Sequence, residues 1–132
     1  HYLGQRRFLA LYLLSALGGS AASYYFSDIN TVSVGASGAI FGLMAATWVI
    51  GNQLNVDTSQ IVGLFVINML IGFSSSGIDW RAHLGGAVVG AVAATGATRR
   101  GSSSLWFACV VAIVSLVVVR DAQIVALFTQ GN

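Results

Sequence analysis

Five stretches of mostly apolar residues, at about 8–26, 37–51, 60–73, 83–98 and 105–119, follow one another with only short polar connections between them. A helix needs about 20 mostly apolar residues to cross the ~30 Å hydrocarbon layer of a bilayer, so a chain of 132 residues has room for at most about five or six crossings. The pattern predicts an all-α, polytopic membrane bundle with about five transmembrane helices. Composition agrees: 56% of residues are hydrophobic and 8% charged, with mean hydropathy +0.81, where a soluble domain carries roughly 25% charged residues. The second and third stretches are shorter than a full crossing, which suggests helices that begin or end within the membrane, shielded by protein.

The few charges report topology. Six Arg and four Asp, with no Lys or Glu, give a formal charge of +2, and no basic run is long enough for a nucleic-acid footprint. Arg6 and Arg7 precede the first stretch, and Arg99 and Arg100 follow the fourth. The positive-inside rule places both pairs on the cytoplasmic face, and four crossings between them give the same answer. Ser37 and His83 are then expected toward the outer face, with Arg120, Asp121 and the polar tail outside after the fifth crossing. Cys109 is the only cysteine and lies in an apolar stretch, so no disulfide framework, metal cluster or cofactor is expected. The chain starts at His1 and shows no signal-peptide pattern, which suggests a piece of a longer protein.

Small residues gather on two helices. Gly38 and Gly42 form one GxxxG pair, and Gly86 and Gly90, flanked by Ala87, Ala91 and Ala94, form another. Such pairs let helix backbones approach closely in lipid. Ser37 adjoins the first pair and His83 lies three residues before the second.

Gly35-Ala36-Ser37-Gly38 puts a serine among small residues at the start of a helix, where unpaired N–H groups and the positive dipole end suit a developing oxyanion. The same serine serves equally well as a plain helix cap. His83 stands at membrane depth, where ionisable groups are rare and usually functional. It is either a base for Ser37 or an interfacial histidine bonded to a loop carbonyl. Phe41, four residues after Ser37, shares its helix face and is placed either to stack on the imidazole or to fill space. Asp79, four before His83, reads better as the N-cap of the fourth helix than as a third catalytic member.

The octapeptide Gly35-Ala36-Ser37-Gly38-Ala39-Ile40-Phe41-Gly42 resembles the nucleophile motif of rhomboid proteases. Ala82-His83-Leu84-Gly85-Gly86, followed by Gly90, resembles their histidine helix, and Gly4, Arg7 and Phe8 before Leu11-Tyr12-Leu13-Leu14-Ser15 resemble the opening of the third core helix. The resemblance implies a partial rhomboid-type membrane domain over 1–132. Core helices three to six lie at about 8–98, an extra C-terminal helix lies at about 105–119, and the first two core helices are absent.

It further implies an intramembrane serine endopeptidase with a Ser37–His83 dyad. Phe41 orients the dyad, the Ser37 backbone N–H is an oxyanion donor, and the remaining donors lie on an absent helix. The implied substrates are single-pass transmembrane proteins cut near the outer face, with stretch 60–73 and Ser74-Ser75-Ser76-Gly77 as a lateral gate. The expected location is multi-pass in a cell membrane, most simply the bacterial plasma membrane. A non-proteolytic rhomboid-like protein that binds membrane clients is the alternative, and retention of both dyad residues weighs against it. A channel or transporter is disfavoured because no Asp or Arg falls within the five stretches.

Overall fold

The computed structural model describes residues 3–28, 36–98 and 103–130. Gly35 of the nucleophile motif and the Arg99–Arg100 pair lie outside the described residues. Those described form five helices and no strand: α1 (Gly4–Phe26), α2 (Ser37–Leu54), α3 (Ser59–Ser74), α4 (Trp80–Thr98) and α5 (Ser103–Gln130). At 1.5 Å per residue, the 23 residues of α1 and 28 of α5 extend ~35 and ~42 Å, and both are long and apolar enough to cross a bilayer. The 18 residues of α2 and 16 of α3 give ~27 and ~24 Å.

Helices α1, α2 and α4 pack most closely on one another, with α3 against α2 and α4, and α5 against α1 and α4. The close packing follows from side chains that are missing. A Cβ added to Gly86 would overlap the Gly38 carbonyl, and one added to Gly90 would overlap the carbonyl of Gly42. On α1, a Cβ at Gly19 would come within 2.7 Å of the Ala82 carbonyl oxygen. Among the described residues, Leu11 and Ser15 are the largest side chains with essentially no exposure, with Phe41 and Met69 also buried.

Large apolar residues such as Leu9, Leu13, Leu17, Val88, Val114 and Val118 point outward. With small residues inside and large ones outside, the bundle suits an apolar solvent, in which close backbone packing rather than hydrophobic exclusion holds helices together.

Several boundaries differ from the sequence reading. Helix α2 runs three residues past 51 and stops where Asn55 adopts the left-handed conformation (φ 54°), which Asn tolerates better than most residues. The Asp57 carboxylate then accepts the Ser59 amide at 2.9 Å at the start of α3. The larger correction is to α5, which continues through Arg120 and Asp121 to Gln130 instead of ending at 119. Tyr24 donates its hydroxyl to Asp121, and Arg120 donates to the Ser27 carbonyl at 3.1 Å. The two charges are thus engaged by the C-terminal end of α1, where a cation also complements the helix dipole.

Candidate active site

Ser37 is the first residue of α2, and the preceding Ala36 supplies no side-chain cap. The first intrahelical bond from this end runs from the Ile40 amide to the Ala36 carbonyl at 3.1 Å. Among the described residues, the amides of Ser37, Gly38 and Ala39 are therefore the donors that this helix start leaves without a helix partner. One turn further, the buried Phe41 ring lies parallel to the His83 imidazole, with centroids 4.1 Å apart and planes inclined by 10°. Phe65 of α3 meets the Phe41 ring edge-on at 5.2 Å, so the three rings link α4, α2 and α3.

His83 is 6% exposed, and among the described residues its Nδ1 has no hydrogen-bond partner. A Cβ at Gly72 would stand 3.3 Å from that nitrogen, so α3 passes close to the imidazole edge at a residue without a side chain. No hydrogen bond joins Ser37 Oγ to the imidazole in this structure. The two residues flank a tight contact instead: a Cβ at Gly38 would lie 3.0 Å from the carbonyl oxygen of Ala82, the residue before His83.

Asp79 caps α4, where one carboxylate oxygen, Oδ1, accepts the amides of Arg81 at 3.1 Å and Ala82 at 3.3 Å. The other, Oδ2, accepts the hydroxyl of Ser23 from α1. Sequence reasoning missed Ser23, Gly19 and Gly72. A run of small residues, Gly18-Gly19-Ser20-Ala21-Ala22-Ser23, marks the buried face of α1, but nothing local pairs Ser23 with a carboxylate 56 positions away. A cavity of about 630 Å³, lined by Leu3, Phe8, Thr47, Leu54 and Thr58, opens at the far end of α2 from Ser37 and plays no part in this arrangement.

A Rhomboid domain model matches residues 1–100 of the chain. Among curated proteins, the chain is similar to the rhomboid protease GluP of Bacillus subtilis (strain 168), at 35% identity over 122 residues that cover 87% of this chain and 24% of GluP. It is 38% identical to RHOMBOID-like protein 5 of Arabidopsis thaliana over 66% of this chain and 30% of that protein. It is 29% identical to the rhomboid protease AarA of Providencia stuartii over 67% of this chain and 42% of AarA. The chain thus spans less than half the length of each of these relatives. No solved structure matches.

Proposed function

Since the chain belongs to the rhomboid family of membrane proteins, we propose that it carries the nucleophile and base of an intramembrane serine endopeptidase, with Ser37 as nucleophile and His83 as general base. The neutral imidazole takes the Ser37 proton as Oγ attacks a peptide carbonyl. The open amide of Ser37 contributes to holding the oxyanion. The imidazolium then gives its proton to the leaving amine, and water repeats the cycle on the acyl-enzyme. The observation that carries this reading is the stacked Phe41–His83 pair, one helical turn from a serine whose own amide has no helix partner. Serine and imidazole come into hydrogen-bond reach when substrate engages, a tightening common among catalytic pairs.

The substrates in this reading are single-pass membrane proteins, cut in a transmembrane segment near the membrane surface where its helix unwinds. The domain occupies 1–132 as core helices three to six plus an added α5. Helix α3 acts as the lateral gate: only Met69 and Gly72 along it are buried, so it has little packing to give up when it moves. The protein sits multi-pass in a bacterial plasma membrane with Ser37 and His83 toward the outer face.

The test is labelling of the full-length protein in membranes by a fluorophosphonate probe. Ser37→Ala and His83→Ala should abolish labelling, while Ser74→Ala, Ser75→Ala and Ser76→Ala should not. Equal labelling of wild type and Ser37→Ala would favour a client-binding, non-proteolytic protein instead.

A further inference from the structure

The glycine contacts that bring α4 against α1 and α2 set how closely the helices approach, and the seating of Val89 at Gly18 and of Ala22 at Gly85 also bears on how far α4 slides along its axis. Gly19 and Gly38 press on the Ala82 carbonyl from two sides, and Gly86 and Gly90 sit on the carbonyls of Gly38 and Gly42. A polar contact within an apolar interface is a well-attested way to specify register, and α1 makes two toward α4: Arg7 donates to the Ala97 carbonyl at 3.4 Å near the far end, and Ser23 donates to Asp79 beside His83. Ser23 is the α1 side chain that, among the described residues, donates a hydrogen bond to the N-terminal turn of α4, and it is buried.

We propose that Ser23 and Asp79 form a register latch that positions His83, resting on the assignment of His83 as base. The Asp79 carboxylate is two-handed. Through Oδ1 it grips the amides of Arg81 and Ala82, the two residues before His83, and its backbone carbonyl accepts the His83 amide at 3.4 Å. Through Oδ2 it takes the Ser23 hydroxyl, which fixes this turn to α1. Freed of Ser23, α4 keeps its cap and the distant Arg7–Ala97 bond but loses the α1 contact nearest the imidazole, which helps set its height relative to Ser37. A misplacement on the order of 1 Å at a reacting group slows chemistry by up to about a hundredfold. Neither residue touches substrate. Both act through His83.

The experiment compares fluorophosphonate labelling rates per folded molecule, at saturating probe, in the full-length protein reconstituted in one lipid. Ser23→Ala should label roughly ten- to a hundredfold more slowly. Asp79→Ser keeps a capping oxygen but is too short to reach Ser23, and should be equally slow. Ser23→Ala combined with Asp79→Ser should be no worse than either alone. The exchange Ser23→Asp with Asp79→Ser should recover most of the rate: the new hydroxyl caps α4 and donates to the new carboxylate, which preserves the span.

Wild-type rates in Ser23→Ala, or an exchange no faster than Ser23→Ala, would overturn the latch. So would a loss of signal that follows only the folded fraction. If wild type labels well and Ser23→Ala is indifferent, the latch alone fails. If wild type does not label, the hydrolase reading fails with it.

Discussion

Phe41 and His83 lie face to face, rings 4.1 Å apart and nearly parallel, although 42 positions separate them in sequence. The ring of Phe41 therefore sets the plane in which the imidazole presents its nitrogens. Such an aromatic pair is worth about 0.5–1.5 kcal/mol beyond its buried area, or roughly a two- to twelvefold effect on rate if it is needed in the transition state. Phe41→Leu, which keeps bulk without a flat face, should lower kcat by about that factor and leave KM nearly unchanged. Phe41→Tyr should retain most activity. Steady-state cleavage of a model transmembrane substrate checks both, and a Phe41→Leu enzyme with wild-type kcat would refute the orienting role.

Close approach of α4 to α2 predicts a sharp contrast among glycines. Gly90→Leu and Gly86→Val place carbon where the carbonyls of Gly42 and Gly38 already lie, and overpacking of this kind costs at least about 1–3 kcal/mol. Both should lower thermal stability in detergent and reduce activity. Gly63→Ala meets nothing within 4 Å and should be neutral or stabilise α3 by up to about 1 kcal/mol. Similar melting temperatures for Gly90→Leu and Gly63→Ala would contradict the packing.

The clasp between α1 and α5 should matter for stability more than for chemistry. Tyr24→Phe and Asp121→Ala each remove one partner of the same exposed hydrogen bond, so each should weaken the α1–α5 contact only slightly. The double variant should be no worse than the single ones. Protease nicking near residues 120–130, followed over time, would show whether α5 detaches more readily. Unchanged nicking in both variants would mean that the apolar contacts alone hold it.

At the start of α3, the Ser59 amide and side chain hold the Asp57 carboxyl below its ordinary value of 3.8. A depressed carboxylate pKa adds stability that is fully present above the unfolded value and lost as pH falls through the folded one. Protection of the Ser59 amide from hydrogen exchange, corrected for intrinsic rates, should therefore be constant above pH ~5 and decline only below ~4. In Asp57→Asn the decline should disappear. A loss of protection beginning near neutral pH would place the controlling group elsewhere.

Much of this architecture was legible in the sequence because it rests on local periodicity. The five apolar stretches mark five helices, and the four-residue step from Ser37 to Phe41 fixes one face of α2 whatever surrounds it. Asp79 was legible as a cap because capping is a short-range interaction. The end of α5 was not. An adjacent Arg and Asp resemble a membrane boundary until Tyr24 and Ser27, more than 90 positions earlier, are seen to engage them. Ser23 and Gly72 escaped for the same reason, since their importance lies in what reaches them from another helix.

The ring series from Phe65 through Phe41 to His83 also makes the imidazole a magnetic reporter. The carbon-bound protons of His83 lie over the face of Phe41, inside its shielding cone, and should resonate upfield of a free histidine. Phe65 rides on α3 and braces the Phe41 edge, so any displacement of α3 that lets Phe41 tilt changes the ring current felt at the imidazole. With histidine labelled selectively, of which the chain has two, a displacement of α3 would become readable as a frequency at His83, with no probe attached to α3.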